Sequence, residues 1–136
     1  MMIYKAIVLV FFSCMSLFNI SLNNGIEIKK VSNEVIDCYD VGTIYYNPYG
    51  GSHPHFQMKL PFESLIEIKI KNANEEIIYE ITKTLESGHY DVIWKSVNQD
   101  NEEVESEIYY LMVTSESKQN RISNKFTTEL EVALLK

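Results

Sequence analysis

Cysteine is nearly missing from this chain. Only Cys14 and Cys38 occur in 136 residues, and Cys14 lies in an N-terminal segment of different character from the rest. Cys38 is then left alone, so no internal disulfide framework holds the fold and packed strands must do so. With no histidine-containing motif beside it, Cys38 is expected as a small buried apolar side chain rather than a reactive thiol. Basic charge is also scarce. Twelve Lys and Arg face 19 Asp and Glu, a formal charge of −7, and no Lys/Arg cluster with interleaved aromatics appears. Binding to a phosphate backbone is excluded on those grounds. The chain has no Gly-x-Ser-x-Gly, no His-Glu-x-x-His and no phosphate-cradling glycine loop, and its carboxylates lie at turns or on outward strand faces. With three histidines and no motif that would set up a tuned acid and base, the reading is non-catalytic, with no cofactor.

What is present divides at about residue 21. Lys5 is the only charge before Glu27, and the apolar run Ala6–Ile20 follows it. The run is short for a membrane span of about 20 residues and the right length for a signal-peptide core. Residues 1–21 are therefore read as a signal peptide or membrane anchor and the protein as extracytoplasmic: secreted, periplasmic or at the cell surface. Any membrane contact is through this segment alone. Phe11–Cys14 resembles a lipobox, which implies a small envelope lipoprotein with lipid on Cys14; Phe11 stands where leucine is usual, and apolar Met15–Phe18 follows where such chains turn polar. Cell-derived protein is expected by intact mass to lack the residues before about Gly25, or to carry lipid on Cys14; a full-length unmodified chain would overturn export.

Beyond the leader, apolar residues repeat with period two. Phe56, Met58 and Leu60 alternate with Gln57 and Lys59; Ile66, Ile68 and Ile70 with Glu67, Lys69 and Lys71; and Tyr90, Val92 and Trp94 share one face. These are half-buried strands. Tyr109, Leu111 and Val113 form a further face with apolar Ile108, Tyr110 and Met112 behind it, the pattern of a central strand. Leu130, Val132 and Leu134 alternate near the end, in a tail that adds one strand or two. Short turns separate the runs and no helical period appears, so an all-β antiparallel sandwich without a long helix is expected. Residues 22–46 read as a strand-containing extension and 47–136 as the sandwich. The two alternating runs of Gly88–Val113 read as neighbouring strands joined by a solvated acidic loop, with Trp94 and Tyr109 as the large core anchors.

From Asn47 onward the chain resembles the immunoglobulin-like domain shared by the bacterial flagellar hook-capping protein and the C-terminal sorting domains of type IX secretion cargo. The family's Asn-Pro-aromatic opening is matched by Asn47-Pro48-Tyr49, and its alternating strand ending in Leu-Pro by Phe56, Met58, Leu60 and Pro61. A second alternating strand ending in Asn or Asp is matched by Ile66, Ile68, Ile70 and Asn72, with Ile78 beyond the turn. The long signature Gly-x-Tyr/His-x-Val-x-Trp, a polar loop, then Val-x-Ser-x-x-Tyr-x-Tyr/Leu is matched by Gly88, Tyr90, Val92, Trp94, Val104, Ser106, Tyr109 and Leu111. The chain departs at Lys95-Ser96, at Asn101 and at Glu107, where the family carries Asp-Gly, Gly and Gly. Asn101 accommodates a left-handed backbone; Glu107 does so poorly, so the backbone there is expected to differ. The resemblance implies an immunoglobulin/fibronectin-like fold and an envelope or secretion-machinery protein as partner.

Three constellations are weighed for function. Asp100, Glu102, Glu103, Glu105 and Glu107 form the candidate interaction loop. Asn98, Asp100 and Glu102 mimic the start of a calcium loop, but Glu103 and Tyr109 stand where glycine and the bidentate glutamate belong, so a solvated turn is expected. His53 and His55 flank Pro54 and with His89 or a carboxylate could complete a metal site, but are read as surface residues of an edge strand rather than metal ligands. Tyr39, Tyr45, Tyr46 and Tyr49 are expected to pack on the sandwich, the alternative being a glycan-stacking surface.

Overall fold

The computed structural model describes residues 25–119 and 122–135; the leader, with Lys5 and Cys14, lies outside the described residues. Eight strands form: β1 (Ile26–Ser32), β2 (Asp40–Val41), β3 (His55–Leu60), β4 (Ser64–Lys71), β5 (Ile77–Leu85), β6 (Gly88–Trp94), β7 (Ile108–Gln119) and β8 (Ile122–Ala133). There is no helix among the described residues. Two four-stranded sheets, in the orders β1-β6-β3-β2 and β5-β4-β7-β8, are antiparallel throughout. They pack into a β-sandwich.

Period-two alternation decides what lies between the sheets. Phe56, Met58 and Leu60 of β3, Ile66, Ile68 and Ile70 of β4, Tyr90, Val92 and Trp94 of β6, and Tyr109, Leu111 and Val113 of β7 are all buried, because a strand turns successive side chains to opposite faces. β7 is central, between β4 and β8. The tail makes one strand, β8, which buries Val132 and sends Leu134 into the core beyond its end. Residues 26–41 also enter the sandwich. β1 pairs with β6 from Ile26↔Trp94 to Ser32↔His89, and β2 pairs with β3, so this segment supplies both edges of the first sheet.

One expectation is corrected. β6 and β7 are not neighbours: β6 belongs to the first sheet and β7 to the second. The 95–107 connection is an arch over the end of the sandwich. Alternation shows which side of a strand is buried but not which sheet the strand joins. The length of the connection, and the bridge Val97↔Glu103 inside it, let it cross the roughly 10 Å between packed sheets. Trp94 and Tyr109 consequently meet across the core, edge to face, with ring centroids 5.2 Å apart. The indole Nε1–H donates to the Val97 carbonyl at 3.0 Å.

Two tyrosines are tied back in the same manner. The Tyr109 hydroxyl donates to the Glu105 carbonyl and that of Tyr90 to the Glu86 carbonyl, each at 2.8 Å and four residues upstream. Each bond pins the entry of a strand to the connection before it and satisfies a phenol whose ring is buried.

Candidate functional site

The 95–107 arch carries the five acidic candidates, and its own side chains shape it. Asn98 Oδ1 accepts hydrogen bonds from the amides of Asp100 and Glu102, both at 3.0 Å. The Asn98 amide donates to the Glu102 carbonyl at 2.9 Å and the Asn101 amide to the Asn98 carbonyl at 3.0 Å. Asn101 takes φ of 63°, the left-handed conformation that asparagine tolerates best after glycine, and Ser96 takes 60°. Glu107 is not among the described residues with positive φ, so its departure from glycine needs no strained backbone. Asn98 is thereby committed to the turn and is not free to begin a calcium loop. Gln99 fastens the arch to the edge of β5: its amide donates to the Ile78 carbonyl, and its side-chain oxygen accepts from the Glu80 amide at 2.9 Å. Part of an open sheet edge is covered in this way.

The five candidates do not behave alike. Asp100, Glu102, Glu103 and Glu105 are exposed. Glu107 is half-buried and reaches across to the next connection, where its Oε1 accepts from the Ala73 amide at 2.9 Å. That contact brings in two carboxylates the sequence reading missed. The β4–β5 turn carries Glu75 and Glu76, both exposed, and β4 ends beside the start of β7 through Lys71↔Tyr110. Two separately encoded connections therefore place their acidic residues at one end of the sandwich. Two carboxylates of the arch bear on the Tyr109 phenol. Burial, then the Glu107 and Glu105 carboxylates, push its pKa up to about 12.

A comparison with family models finds no match, and one with curated proteins finds none either.

The remaining candidates separate in space. His55 pairs with Ile93, and His89 lies four residues further back along β6, about 13 Å away at strand rise. His55 instead turns Nδ1 to the His53 carbonyl at 3.1 Å, and His89 faces Glu34 at 3.5 Å. No group of three His, Cys, Asp or Glu able to hold a metal occurs among the described residues. The tyrosines split evenly. Tyr39 and Tyr46 pack against the core, and the Tyr46 hydroxyl donates to the Leu135 carbonyl at 2.8 Å. Tyr45 and Tyr49 are 61% and 95% exposed, contrary to the packing expected of the whole group: Tyr45 is bridged to His55 with its ring beside the imidazole rather than the core, and Tyr49 sits in the turn that follows Pro48. Cys38 also departs from expectation. It is exposed, since it lies in the 33–39 connection before β2, where no strand alternation directs it inward.

Proposed function

We propose that this protein is an exported, non-catalytic β-sandwich module of immunoglobulin/fibronectin-like topology that engages a basic partner protein of the cell envelope or secretion machinery through its acidic end. The observation that carries the reading is the convergence of Glu75 and Glu76 with Asp100, Glu102, Glu103 and Glu105 on connections held by their own hydrogen bonds. Like charges crowded together gain nothing for the fold, whereas a fixed acidic surface steers a basic partner at little ordering cost.

Strand order supports the finer fold. Lettered A to G, β2 to β8 place C, F and G together as β4, β7 and β8, and A, B and E together as β2, β3 and β6, with D beside C. The Tyr109 bond to the Glu105 carbonyl matches the tyrosine corner of such sandwiches at the start of strand F. The likeness to the hook-capping and sorting-domain family adds the envelope compartment and the assembly role.

The triple variant Asp100→Asn, Glu102→Gln, Glu105→Gln leaves Glu107 and its Ala73 contact in place. It is expected to melt within a few degrees of the parent. Capture of basic envelope proteins should fall several-fold at low salt, and the parent should lose the same capture as salt is raised through about 0.15 M, where the screening length is about 8 Å. Equal capture by parent and variant would show the acidic end to be solubilising only.

A further inference from the structure

The inner face of the second sheet changes character along its length. Near the acidic end its cross-strand rows are apolar, as in Ile70↔Leu111↔Leu130. Two rows from the other end it reads Ile66↔Ser115↔Phe126, and Ser117 and Asn124 are paired in the row beyond. Ser64, Ser115 and Ser117 are 3%, 3% and 8% exposed. The Ser64 hydroxyl donates to the Phe62 carbonyl at 2.8 Å, and Ser64, Ser115 and Ser117 all line one cleft. Hydroxyls aligned on an inward face and opening onto a cleft point to something polar that they meet, because an apolar occupant would strip their hydration without replacing it.

What they face is a cleft of about 200 Å³, closed on the other side by the 37–39 segment and the β3–β4 turn. Its walls are aromatic. Tyr39 is stacked on Phe126 with centroids 5.1 Å apart and planes at 18°, and Phe62 stands 40% exposed at the mouth. Asp37 and Asn124 contribute a carboxylate and an amide, and no lysine or arginine lines the cleft.

The geometry points to a binding site for one neutral sugar ring, a single pyranose unit of a glycan. A pyranose has a face of slightly positive C–H groups, which suits the negative face of an aromatic ring, and a rim of hydroxyls that both donate and accept, which suits serine, asparagine and aspartate together. An anionic ligand would meet Asp37 with no cation to offset it, and a purely aliphatic one would leave the serine hydroxyls dry. The volume lies below the roughly 300–1,000 Å³ of drug-sized sites, which fits one ring rather than a longer chain. This site is at the opposite end of β7 from the acidic arch and does not depend on the protein-contact reading.

Saturation-transfer NMR on the cell-derived protein, with a panel of neutral and N-acetylated hexoses, tests it. At least one sugar should bind saturably. Ser117→Val, which puts a methyl on the floor, should abolish that binding, and Asn124→Ala should weaken it at least tenfold. Phe62→Ala, at an exposed turn position, should weaken it with the melting temperature retained, which serves if the floor variants do not fold. Capture of basic envelope proteins should be unchanged in all three, so failure of one reading is distinguishable from failure of the other. The absence of binding by every sugar in the panel, or binding indifferent to the variants that fold, would mean that the serines are met by ordered water alone and would overturn the assignment.

Discussion

Replacing Trp94 by alanine should remove about 3–5 kcal/mol of stability, the range for large-to-small changes at fully buried aromatic positions. Trp94 is 1% exposed, and it does three things at once: it fills the centre of the core, meets the Tyr109 ring at 5.2 Å, and ties the start of the arch through Nε1 to the Val97 carbonyl. Alanine loses the packing and leaves that carbonyl unpaired. Against a total of about 5–15 kcal/mol for a domain, the loss is a large fraction. Trp94→Phe keeps an aromatic edge for Tyr109 and should cost less. Urea denaturation followed by circular dichroism measures both, since the parent's own indole cannot report on variants that lack it. In the parent, Trp94 emission should be blue-shifted and poorly quenched by iodide. Emission typical of indole in water would contradict the burial on which the argument rests.

A second large effect is expected on the alkaline side. The Tyr109 phenol ionises near 10 in an unfolded chain but holds its proton to about 12 in the fold, because burial and then Glu107 and Glu105 disfavour the phenolate. Below pH 10 both states are protonated and the contribution is complete. Between about 10 and 12 the unfolded chain releases a proton that the folded chain keeps, so unfolding gains and stability falls as pH rises. Tyr39 and Tyr90, each raised first by burial, act in the same direction. Tyr109→Phe should cost about 1 kcal/mol at neutral pH, through the lost bond to the Glu105 carbonyl, and should flatten the decline above pH 10. Denaturation at pH 8, 10 and 11 checks this; parallel pH dependence in parent and variant would rule Tyr109 out as its source.

The faces of the strands were legible in the sequence because burial follows local alternation. Phe56, Ile68, Val92 and Leu111 each lie inward at the positions their spacing assigns. Sheet membership was not legible. Trp94 and Tyr109 have the same pattern whether their strands pair or oppose each other, and only the 95–107 arch, with its internal bridge, separates the two arrangements. Most of the acidic end could be read as a run in one loop; Glu75 and Glu76 could not, since the fold brings them there through Glu107 and Ala73. The cleft was hidden for the same reason, its walls coming from four separate segments. A signal for it was present nonetheless. The inward period of β7 continues from Val113 to Ser115 and Ser117, and serines at inward positions mark a core that has stopped being apolar.

The pairing of β1 with β6 governs the order in which the molecule can assemble. β4 with β5, and β7 with β8, are close in sequence and can zip early, whereas Ile26 must wait for Trp94. Sandwiches built on such distant partners fold in milliseconds to seconds rather than microseconds. Until β6 is in place, Ile26–Ser32 is a strand with neither edge satisfied. β1 leaves the ribosome well ahead of β6 yet is among the last strands to be secured, and in that interval its backbone is open to a chaperone or to a strand from another chain.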